Sequence, residues 1–374
     1  MKKILEKYKK KNVFITGHTG FKGAWLTSVL LKADAIVTGY SLEPPTNPSL
    51  FDLAQIKKEN NLSHIIGDVR DFKSLYSSIN KCNPDFVFHL AAQPIVRESY
   101  KDPRETYETN VMGTVNLLES VRLFANKNQN KHISVLNVTT DKVYENKEWC
   151  WGYRENEPLN GYDPYSNSKS CSELVTHSYK SSFFVDKNVR LSTARAGNVI
   201  GGGDFASDRI IPDCIRAIKR AMDENQSMGI LALRNPYSIR PYQHVLDPIF
   251  AYLMIAAYQY EESRYSGYYN VGPNESSCIT TGDLVEKFIT KWDILHINES
   301  QLPGLKVEKH LDTGAPHESC FLRLDCNKLK TVFGWEPKWE IDQALEETAE
   351  FAKKMLNGED MRVEMNFEIE KFLG

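Results

Sequence analysis

The strongest constraint on the fold is a glycine-rich turn between a predicted strand and a predicted helix. The apolar, β-branched run Asn12–Thr16 predicts a strand, and Ala24–Lys32 repeats its apolar residues with the period of a helix. Between them stands Gly17-His-Thr-Gly20-Phe-Lys-Gly23, with the spacing G-x-x-G-x-x-G. Alone, this spacing fits a plain structural turn about as well as a dinucleotide-binding turn. Between a strand and a helix it lets backbone N–H groups approach a pyrophosphate, so we predict dinucleotide binding.

Strands continue to alternate with helices from this turn to about residue 195. The runs that predict further strands are Ala35–Gly39, His64–Val69, Pro84–Leu90, Ile133–Val138 and Val189–Ala194. This alternation is typical of an α/β fold with a doubly wound, mostly parallel Rossmann sheet. Since 374 residues exceed what one core usually holds, we predict two domains. The dinucleotide-binding domain would comprise 1–196 plus about 240–270, and a smaller, mixed α/β C-terminal substrate domain would comprise 197–239 and 271–374.

The second half of the chain has a different pattern of elements. A glycine-dense loop, Gly197–Asp204, precedes a predicted helix over Arg209–Met222. The later predicted elements are a strand at Gly267–Gly272, a helix that begins after Thr280, and helices over Asp325–Phe333 and Ile341 to about Leu356.

Composition excludes several classes of protein. The net charge of −3 gives no global attraction to nucleic acid or to an anionic membrane. The longest apolar run, Ile249–Ala257, is far shorter than the ~20 residues that span a bilayer, and the N-terminus lacks the apolar region of a signal peptide. Seven cysteines without C-x-x-C pairs or zinc-ligand spacing fit a reducing compartment. We therefore expect a cytoplasmic protein without metal, nucleic-acid or membrane partners.

The ends of the predicted strands supply candidate cofactor contacts. The second strand would normally end in an acidic residue that holds the adenosine ribose of NAD, but here it ends in Tyr40-Ser41-Leu42 with Glu43 displaced. This leaves the choice between NAD and NADP open, although no arginine stands there to hold a 2′-phosphate, which favours NAD. Asp68 either meets the adenine or caps the next helix, and Ala91-Ala92 either leaves space for a cofactor or simply packs closely. The predicted cofactor-binding residues are Gly17, Thr19, Gly20, Phe21, Lys22, Gly23, Ser41, Asp68, Val69, Ala91, Ala92, Gln93, Tyr165 and Lys169.

A second polar group follows the fifth predicted strand. Thr140-Asp141-Lys142 comes directly after that strand, at the edge where open α/β sheets bind ligands. Tyr165 and Lys169 stand four residues apart, so a helix puts both side chains on one face. The Asp141-Lys142 pair alone would be read as a surface ion pair. Beside Tyr165 and Lys169 it predicts a catalytic centre.

Arginines in the second half suggest an anionic ligand. Arg234 and Arg240 lie among prolines and aromatic residues, and a guanidinium group matches the geometry of phosphate oxygens. An ordinary basic surface loop is the plain alternative. Their position after a dinucleotide fold favours a phosphate-bearing ligand in the second domain.

Taken together, these motifs resemble the extended short-chain dehydrogenases that act on nucleotide sugars, most closely the CDP-glucose 4,6-dehydratase family. The glycine turn and the Tyr165/Lys169 pair mark only the superfamily. Asp141-Lys142 and the block Ser41–Phe51 are more specific, and the similarity extends to about residue 340.

The resemblance implies an NAD-dependent lyase that removes water from CDP-glucose, giving CDP-4-dehydro-6-deoxyglucose. By this resemblance Tyr165 would deprotonate the C4 hydroxyl, Lys169 would bind the nicotinamide ribose, and Thr140 would hydrogen-bond near the C4 oxygen. Asp141 would protonate the departing C6 hydroxyl, and Lys142 would be either the C5 base or an electrostatic stabiliser of the enolate. Substrate contacts are implied for Gln93, Arg97, Asn198, Arg209, Arg234 and Arg240. A homodimer or homotetramer that pairs through the helices Glu105–Phe124 and Tyr165–Phe184 is also implied.

The proposed chemistry makes demands on two pKa values. Tyr165, with an ordinary pKa near ~10, needs Lys169 and a positive nicotinamide to lower its pKa before it can act as a base. Asp141 must stay protonated, which burial favours and Lys142 opposes. Two alternatives are a nucleotide-sugar 4-epimerase or decarboxylase of the same superfamily, and a non-catalytic dinucleotide-binding module. Asp141-Lys142 argues against the first alternative, and the Tyr165/Lys169 pair argues against the second.

Overall fold

The structure is a computed structural model that describes residues 1–185, 188–296, 302–309 and 321–374. In chain order its strands are β1 (Asn12–Thr16), β2 (Ile36–Ser41), β3 (Leu62–Ile66), β4 (Phe86–His89), β5 (Ile133–Thr140), β6 (Val189–Ala196), β7 (Asn198–Ile200), β8 (Met228–Leu233), β9 (Ile239–His244), β10 (Tyr268–Val271), β11 (Cys278–Thr280) and β12 (Gly304–Lys309).

The helices are α1 (Lys2–Glu6), α2 (Phe21–Lys32), α3 (Leu50–Leu53), α4 (Phe72–Cys82), α5 (Val96–Lys101), α6 (Pro103–Tyr107), α7 (Gly113–Lys127), α8 (Pro164–Phe183), α9 (Ile210–Asp223), α10 (Leu246–Glu261), α11 (Thr281–His296), α12 (Asn327–Phe333), α13 (Ile341–Leu356) and α14 (Met361–Leu373). Several helices, including α9, α12 and α13, begin and end within a few residues of the predicted limits. The helix predicted over Glu105–Phe124 is interrupted by a π-helical turn, Glu108–Met112. The C-terminal helix α14 was not predicted.

A seven-stranded sheet in the order β10-β6-β5-β4-β1-β2-β3 forms the centre of the molecule, and all its neighbouring strands are parallel. Alternate residues of β1 enter two different hydrophobic cores. Val13 and Ile15 pack with α2, α10 and α14 on one face, whereas Phe14 packs with α4 and α7 on the other. Helices therefore cover both faces, and the predicted doubly wound, mostly parallel sheet is confirmed.

The sheet contains one strand more than the six that the sequence assigns to it. The short strand β10 returns from the second half of the chain and pairs with β6, so that Tyr268 lies beside Thr193 and Val271 beside Ala196. The carboxyl end of β6 thereby lies between the ends of β5 and β10.

Smaller elements lie beyond the carboxyl ends of the central strands. A three-stranded sheet, β11-β9-β7, and a two-stranded sheet, β12-β8, share a hydrophobic core with α9, α11 and α13. Strand β7 begins two residues after β6 ends, so the second core starts directly beside the central sheet. Among the described residues, no helix is both long and apolar enough to cross a membrane.

Candidate active site

The glycine turn brings β1, β4 and α2 closer together than any side chain would allow. Gly17 has φ +77°, and a Cβ atom on it would lie 2.7 Å from the backbone nitrogen of Ala91. A Cβ on Gly23 would lie 2.0 Å from the carbonyl oxygen of Gly17. Gly20 is the N-cap of α2, and no side chain among the described residues caps that end. The turn therefore offers the positive end of a helix, with space for an anion to approach its backbone.

Side chains beyond this turn connect it to the end of β2. The hydroxyl of Ser41 lies 2.8 Å from that of Thr19 and 3.1 Å from Nδ1 of His18. Nε2 of His18 lies 2.6 Å from Nδ1 of His64. Burial lowers the pKa of His18 to about 3, with a further contribution from His64, so the His18 ring is neutral. Ser41 and Thr19, both predicted to contact the cofactor, are thus held together by neutral hydrogen bonds.

The two alternatives for Asp68 are distinguished by its contacts. Its carboxylate accepts hydrogen bonds from the backbone and guanidinium groups of Arg70. The N-cap of α4 is Asp71, whose carboxylate accepts from the backbone N–H of Ser74 at 3.1 Å. Asp68 therefore does not cap α4, and its carboxylate remains at the end of β3 next to Val69.

The segment after β4 contributes mainly backbone to the site. Ala91 N–H donates to the hydroxyl of Thr16. The side-chain amide of Gln93 donates to Thr106, and its oxygen accepts from the backbone N–H of Ile95 at 2.6 Å. Gln93 therefore holds its own loop with both ends of its side chain, which is a role that the sequence did not predict.

Helix α8 places Tyr165 and Lys169 on its buried face, as their spacing predicts. The helix begins after Asp163, whose carboxylate accepts from the backbone N–H of Ser166 at 3.0 Å. The ammonium of Lys169 donates to the carbonyl oxygen of Val138 in β5 at 2.9 Å. Burial lowers the pKa of Lys169 to about 8, and the charge of Lys22 lowers it further. Lys169 is therefore attached to the strand that leads into Thr140-Asp141-Lys142.

The protein groups alone raise the pKa of Tyr165 to about 12. Burial is the largest cause, a hydrogen bond with Thr140 opposes it, and the charge of Asp141 adds to it. The charge of Arg209 also lowers this pKa, and the ammonium of Lys169 donates to the carbonyl of Val138. The expectation that Lys169 and a positive nicotinamide together lower this pKa stays a prediction.

Asp141 is the most deeply buried carboxyl group of this centre. It is 1% exposed, Oδ1 accepts from the hydroxyl of Thr140 at 3.0 Å, and Oδ2 has no hydrogen-bond partner among the described residues. The backbone of Gly197 passes so close that a Cβ there would lie 3.3 Å from Oδ2. Burial raises the pKa of Asp141, while the charges of Lys142 and Arg240 oppose the rise. Burial therefore shifts the carboxyl group towards its protonated form, as an acid role would require.

Charged residues from α2 and from the loop before α9 lie near Asp141 and Tyr165, since their charges act on these groups or on each other. Arg209 donates to Asp204 at 2.8 Å, and the charge of Arg209 acts on both Tyr165 and Lys22. Burial lowers the pKa of Lys22 to about 8, and Arg209 lowers it further, against the charges of Asp141 and Asp204. The sequence predicts Lys22 and Arg209 as binding residues. It did not identify Asp204, although this residue ends the conspicuous run of three glycines.

The predicted substrate residues divide into two groups. Arg240 is 3% exposed and its charge acts on Asp141, and Asn198 follows Gly197 beside the same carboxyl. Arg97 and Arg234 instead converge on a different acid, since their guanidinium nitrogens lie 3.9 Å and 2.9 Å from Oδ1 of Asp208. Asp208 is a residue that sequence reasoning missed.

Comparisons with known proteins identify relatives of this chain. The family described as GDP-mannose 4,6 dehydratase matches residues 14–348. The chain is 47% identical to the CDP-glucose 4,6-dehydratase of Salmonella typhimurium, over 97% of this chain and 96% of that protein. The resemblance inferred from the motifs is thus confirmed.

Solved structures with lower identity share the fold. The dTDP-glucose 4,6-dehydratase of Bacillus anthracis, solved with NAD, has a TM-score of 0.70 and 23% identity over 92% of this chain and 97% of its own. The UDP-glucose 4-epimerase of Thermus thermophilus, also solved with NAD, has a TM-score of 0.69 and 21% identity over 91% and 98%. Because a family description matches most of its length and a dehydratase relative is 47% identical across nearly all of it, the chain belongs to the GDP-mannose 4,6-dehydratase family of nucleotide-sugar dehydratases.

Proposed function

We propose that the chain is an NAD-dependent CDP-glucose 4,6-dehydratase, which converts CDP-D-glucose to CDP-4-dehydro-6-deoxy-D-glucose and water. The observation that carries the proposal is the buried Asp141, which has a raised pKa and an oxygen without a partner among the described residues, beside Tyr165. Loss of a sugar hydroxyl as water needs an acid of this kind. The identity of 47% with a CDP-glucose 4,6-dehydratase supports the choice of nucleotide.

The residues of the glycine turn fit a dinucleotide. Gly17, Gly20 and Gly23 leave the N-terminus of α2 open for the pyrophosphate. Ser41 with Thr19 would meet the adenosine ribose, and Asp68 with Val69 would meet the adenine. NAD, when bound, accepts the hydride of C4, returns it to C6, and brings a positive charge that favours the Tyr165 phenolate.

In the first half of the reaction, Tyr165 receives the proton of the C4 hydroxyl. Thr140 lowers the pKa of Tyr165, and its hydroxyl would turn from Asp141, to which it donates in this structure, to stabilise the phenolate. Lys169 holds the nicotinamide ribose from the same helix face. Arg209 adds a positive charge that also lowers the pKa of Tyr165.

In the second half, the ketone at C4 makes the C5 proton acidic. Lys142 removes that proton, or its charge stabilises the enolate while another group removes it, and we prefer the first role. Asp141 gives its proton to the C6 hydroxyl, which departs as water. Its burial raises the pKa of this carboxyl group, which favours retention of the proton until elimination.

The nucleotide diphosphate requires cations on the second half of the chain. Arg240 and Arg209 lie close enough to Asp141 and Tyr165 for their charges to act on them. We propose them for the phosphates, with Asn198, Gln93, Arg97 and Arg234 as further substrate contacts. We also propose that 1–196 with about 240–270 binds NAD and that the remaining segments bind the sugar nucleotide.

We propose that the chain forms a homodimer or homotetramer through the faces of α7 and α8. Large apolar side chains are exposed on these helices and the turn before them. They are Met112, Leu174 and Phe183, with 49%, 56% and 44% of their surface exposed. Burying such a group between copies favours association.

Incubation with CDP-glucose and NAD tests the proposed function. The product, a 4-keto sugar, is detected by the absorbance that alkali induces, and UDP-glucose, dTDP-glucose and GDP-mannose serve as matched substrates. A 4-epimerase would release a C4 epimer without the 4-keto signal, and a decarboxylase would act only on a uronic acid substrate. A binding module would convert none of them. Any of these three results would contradict the proposal.

A further inference from the structure

A buried ion pair joins β6 to α8 next to the proposed catalytic centre, and none of the proposed chemical steps uses it. A guanidinium nitrogen of Arg195 on β6 lies 2.9 Å from Oε2 of Glu173 on α8. Their side chains are 3% and 0% exposed. Since removing two charges from water often offsets their attraction, stability alone is a weak explanation for such a pair.

Each member of the pair holds one flank of the segment that carries Asp141 and Lys142. The hydroxyl of Thr139, which precedes that segment, donates to Oε1 of Glu173 at 2.5 Å. The hydroxyl of Tyr144, which follows it, accepts from Arg195 at 2.8 Å and donates to Asn270 at 2.6 Å. The two flanks of the 3₁₀ turn Asp141–Val143 are thus connected through one ion pair.

The same ion pair is continuous with the helix that carries Tyr165 and Lys169. Glu173 stands one turn after Lys169 on α8, and Lys169 stands one turn after Tyr165. Lys169 and Ser170 also donate to the carbonyl oxygens of Val138 and Val143 at 2.9 and 2.7 Å. Helix α8 therefore contacts the Asp141 segment at its start, at its end and through the ion pair.

We propose that Glu173 and Arg195 are positioning residues, which hold Asp141 and Lys142 in register with Tyr165 and Lys169. This inference rests on the proposed function. It adds that the groups for C4 oxidation and the groups for elimination are kept at a fixed separation by one buried ion pair. The pair acts through Thr139 and Tyr144. Loosening one flank should therefore impair elimination more than oxidation.

Two matched variants test this inference. Thr139→Val and Thr193→Val each remove one hydroxyl that donates to the same carboxylate, since Thr139 binds Oε1 at 2.5 Å and Thr193 binds Oε2 at 2.9 Å. Both threonines are buried strand residues, 4% and 0% exposed, and valine has nearly the same shape. Only Thr139 adjoins the Asp141 segment, so Thr193→Val controls for the general loss of a hydrogen bond to Glu173.

The measurements separate the two halves of the reaction. NADH absorbance after rapid mixing with CDP-glucose reports oxidation at C4, and entry of solvent deuterium at C5 with release of the 4-keto sugar reports elimination. For Thr139→Val we expect elimination to fall about 10- to 100-fold, because a displacement of ~1 Å can cost ~10²-fold in rate, while oxidation stays within about threefold. For Thr193→Val the ratio of the two rates should stay that of the wild type, and both variants should lower the unfolding temperature similarly.

Tyr144→Phe examines the other flank. It removes the hydroxyl that joins Arg195 to Asn270, and it should lower the ratio of elimination to oxidation as Thr139→Val does. KM for CDP-glucose should change little in both, since the variants act on positioning and not on binding.

Two results would overturn the inference. One is an equal change of the rate ratio in Thr139→Val and Thr193→Val, which would indicate a merely structural role. The other is an unchanged ratio in both Thr139→Val and Tyr144→Phe. A wild-type protein that neither oxidises CDP-glucose nor releases a 4-keto sugar would instead refute the proposed function, and the inference with it.

Discussion

Replacing Asp141 with asparagine removes the proposed acid and leaves the shape of the side chain nearly unchanged. The hydrogen bond from Thr140 to Oδ1 at 3.0 Å can persist, because asparagine keeps an acceptor oxygen there. The new amide group takes the place of Oδ2, which has no partner among the described residues to lose. We therefore expect a folded variant in which only the transferable proton is missing.

The size of the effect follows from what a positioned acid contributes. General acid catalysis accelerates a step by ~10²–10⁴-fold, which corresponds to about 3–5 kcal/mol of activation free energy. Only the loss of the C6 hydroxyl needs this proton. Elimination should therefore slow by that factor, whereas oxidation at C4 by Tyr165 and Lys169 should proceed at nearly the wild-type rate.

Rapid mixing with CDP-glucose and NAD checks the prediction. In Asp141→Asn the NADH absorbance should appear and persist, while the 4-keto, 6-deoxy product forms ~10²–10⁴-fold more slowly. A fall in product formation of less than ~10-fold would refute the acid role. Loss of the NADH signal would also refute it, because Asp141 would then be needed before elimination.

The same variant makes a prediction about stability. Burial raises the pKa of Asp141 above its ordinary value of 3.8, so the native state of the wild type loses stability as pH rises from there towards the folded pKa. The thermal unfolding temperature of Asp141→Asn should depend less on pH in this window. An identical pH dependence in both proteins would contradict a raised pKa.

The remaining predictions concern four other side chains. Lys142→Met should keep the NADH signal but slow the entry of solvent deuterium at C5, and normal exchange would exclude Lys142 as the base. Tyr165→Phe should abolish the NADH signal, and an unchanged signal would refute its role. Burial and nearby acids raise the pKa of Glu368 well above 4.5, so native stability falls as pH rises above that value. Glu368→Gln should therefore lose less unfolding temperature than the wild type as pH rises from 4.5, and a parallel loss in both proteins would contradict this. Leu174→Glu should yield smaller particles by light scattering, and an unchanged mass would argue against pairing through α8.

The central sheet could be predicted because its strands are apolar and locally recognisable. All eight residues of β5 are buried, and each of the first six strands begins or ends near the predicted limits. The seventh strand, β10, has only four residues, Tyr268–Val271. Its sequence indicates a strand, but its place beside β6 depends on pairing between distant segments, which no local pattern specifies.

Helix α14 was missed for a different reason. Its apolar residues Met361, Met365 and Ile369 are spaced for one helix face, but Glu364 and Glu368 lie among them and are buried as well. Charged residues normally mark an exposed face, so the pattern is blurred. The face is defined only by its partners, including α2 from the opposite end of the chain.

In the site, the features set by local spacing could be predicted, but the contacts between distant segments could not. The interval between Tyr165 and Lys169 predicts their common helix face, whereas the hydrogen bond of Thr140 with Asp141 was not predicted. The contacts of Arg209 with Asp204 and of Arg195 with Glu173 join separate segments. The pKa of Tyr165 depends on its burial, which the sequence alone does not give.

Burial raises the pKa of both residues to which we assign proton transfer, with opposite consequences for the proposed roles. It raises the pKa of Tyr165 to about 12, which opposes the loss of the phenolic proton and so hinders the base. It also raises the pKa of Asp141, which retains the proton that an acid must give. Burial thus favours the acid role that we propose for Asp141, whereas Tyr165 needs a positive charge beside it to lose its proton. Because the fold is shared with epimerases, we expect side chains such as Asp141 to decide the reaction that follows oxidation.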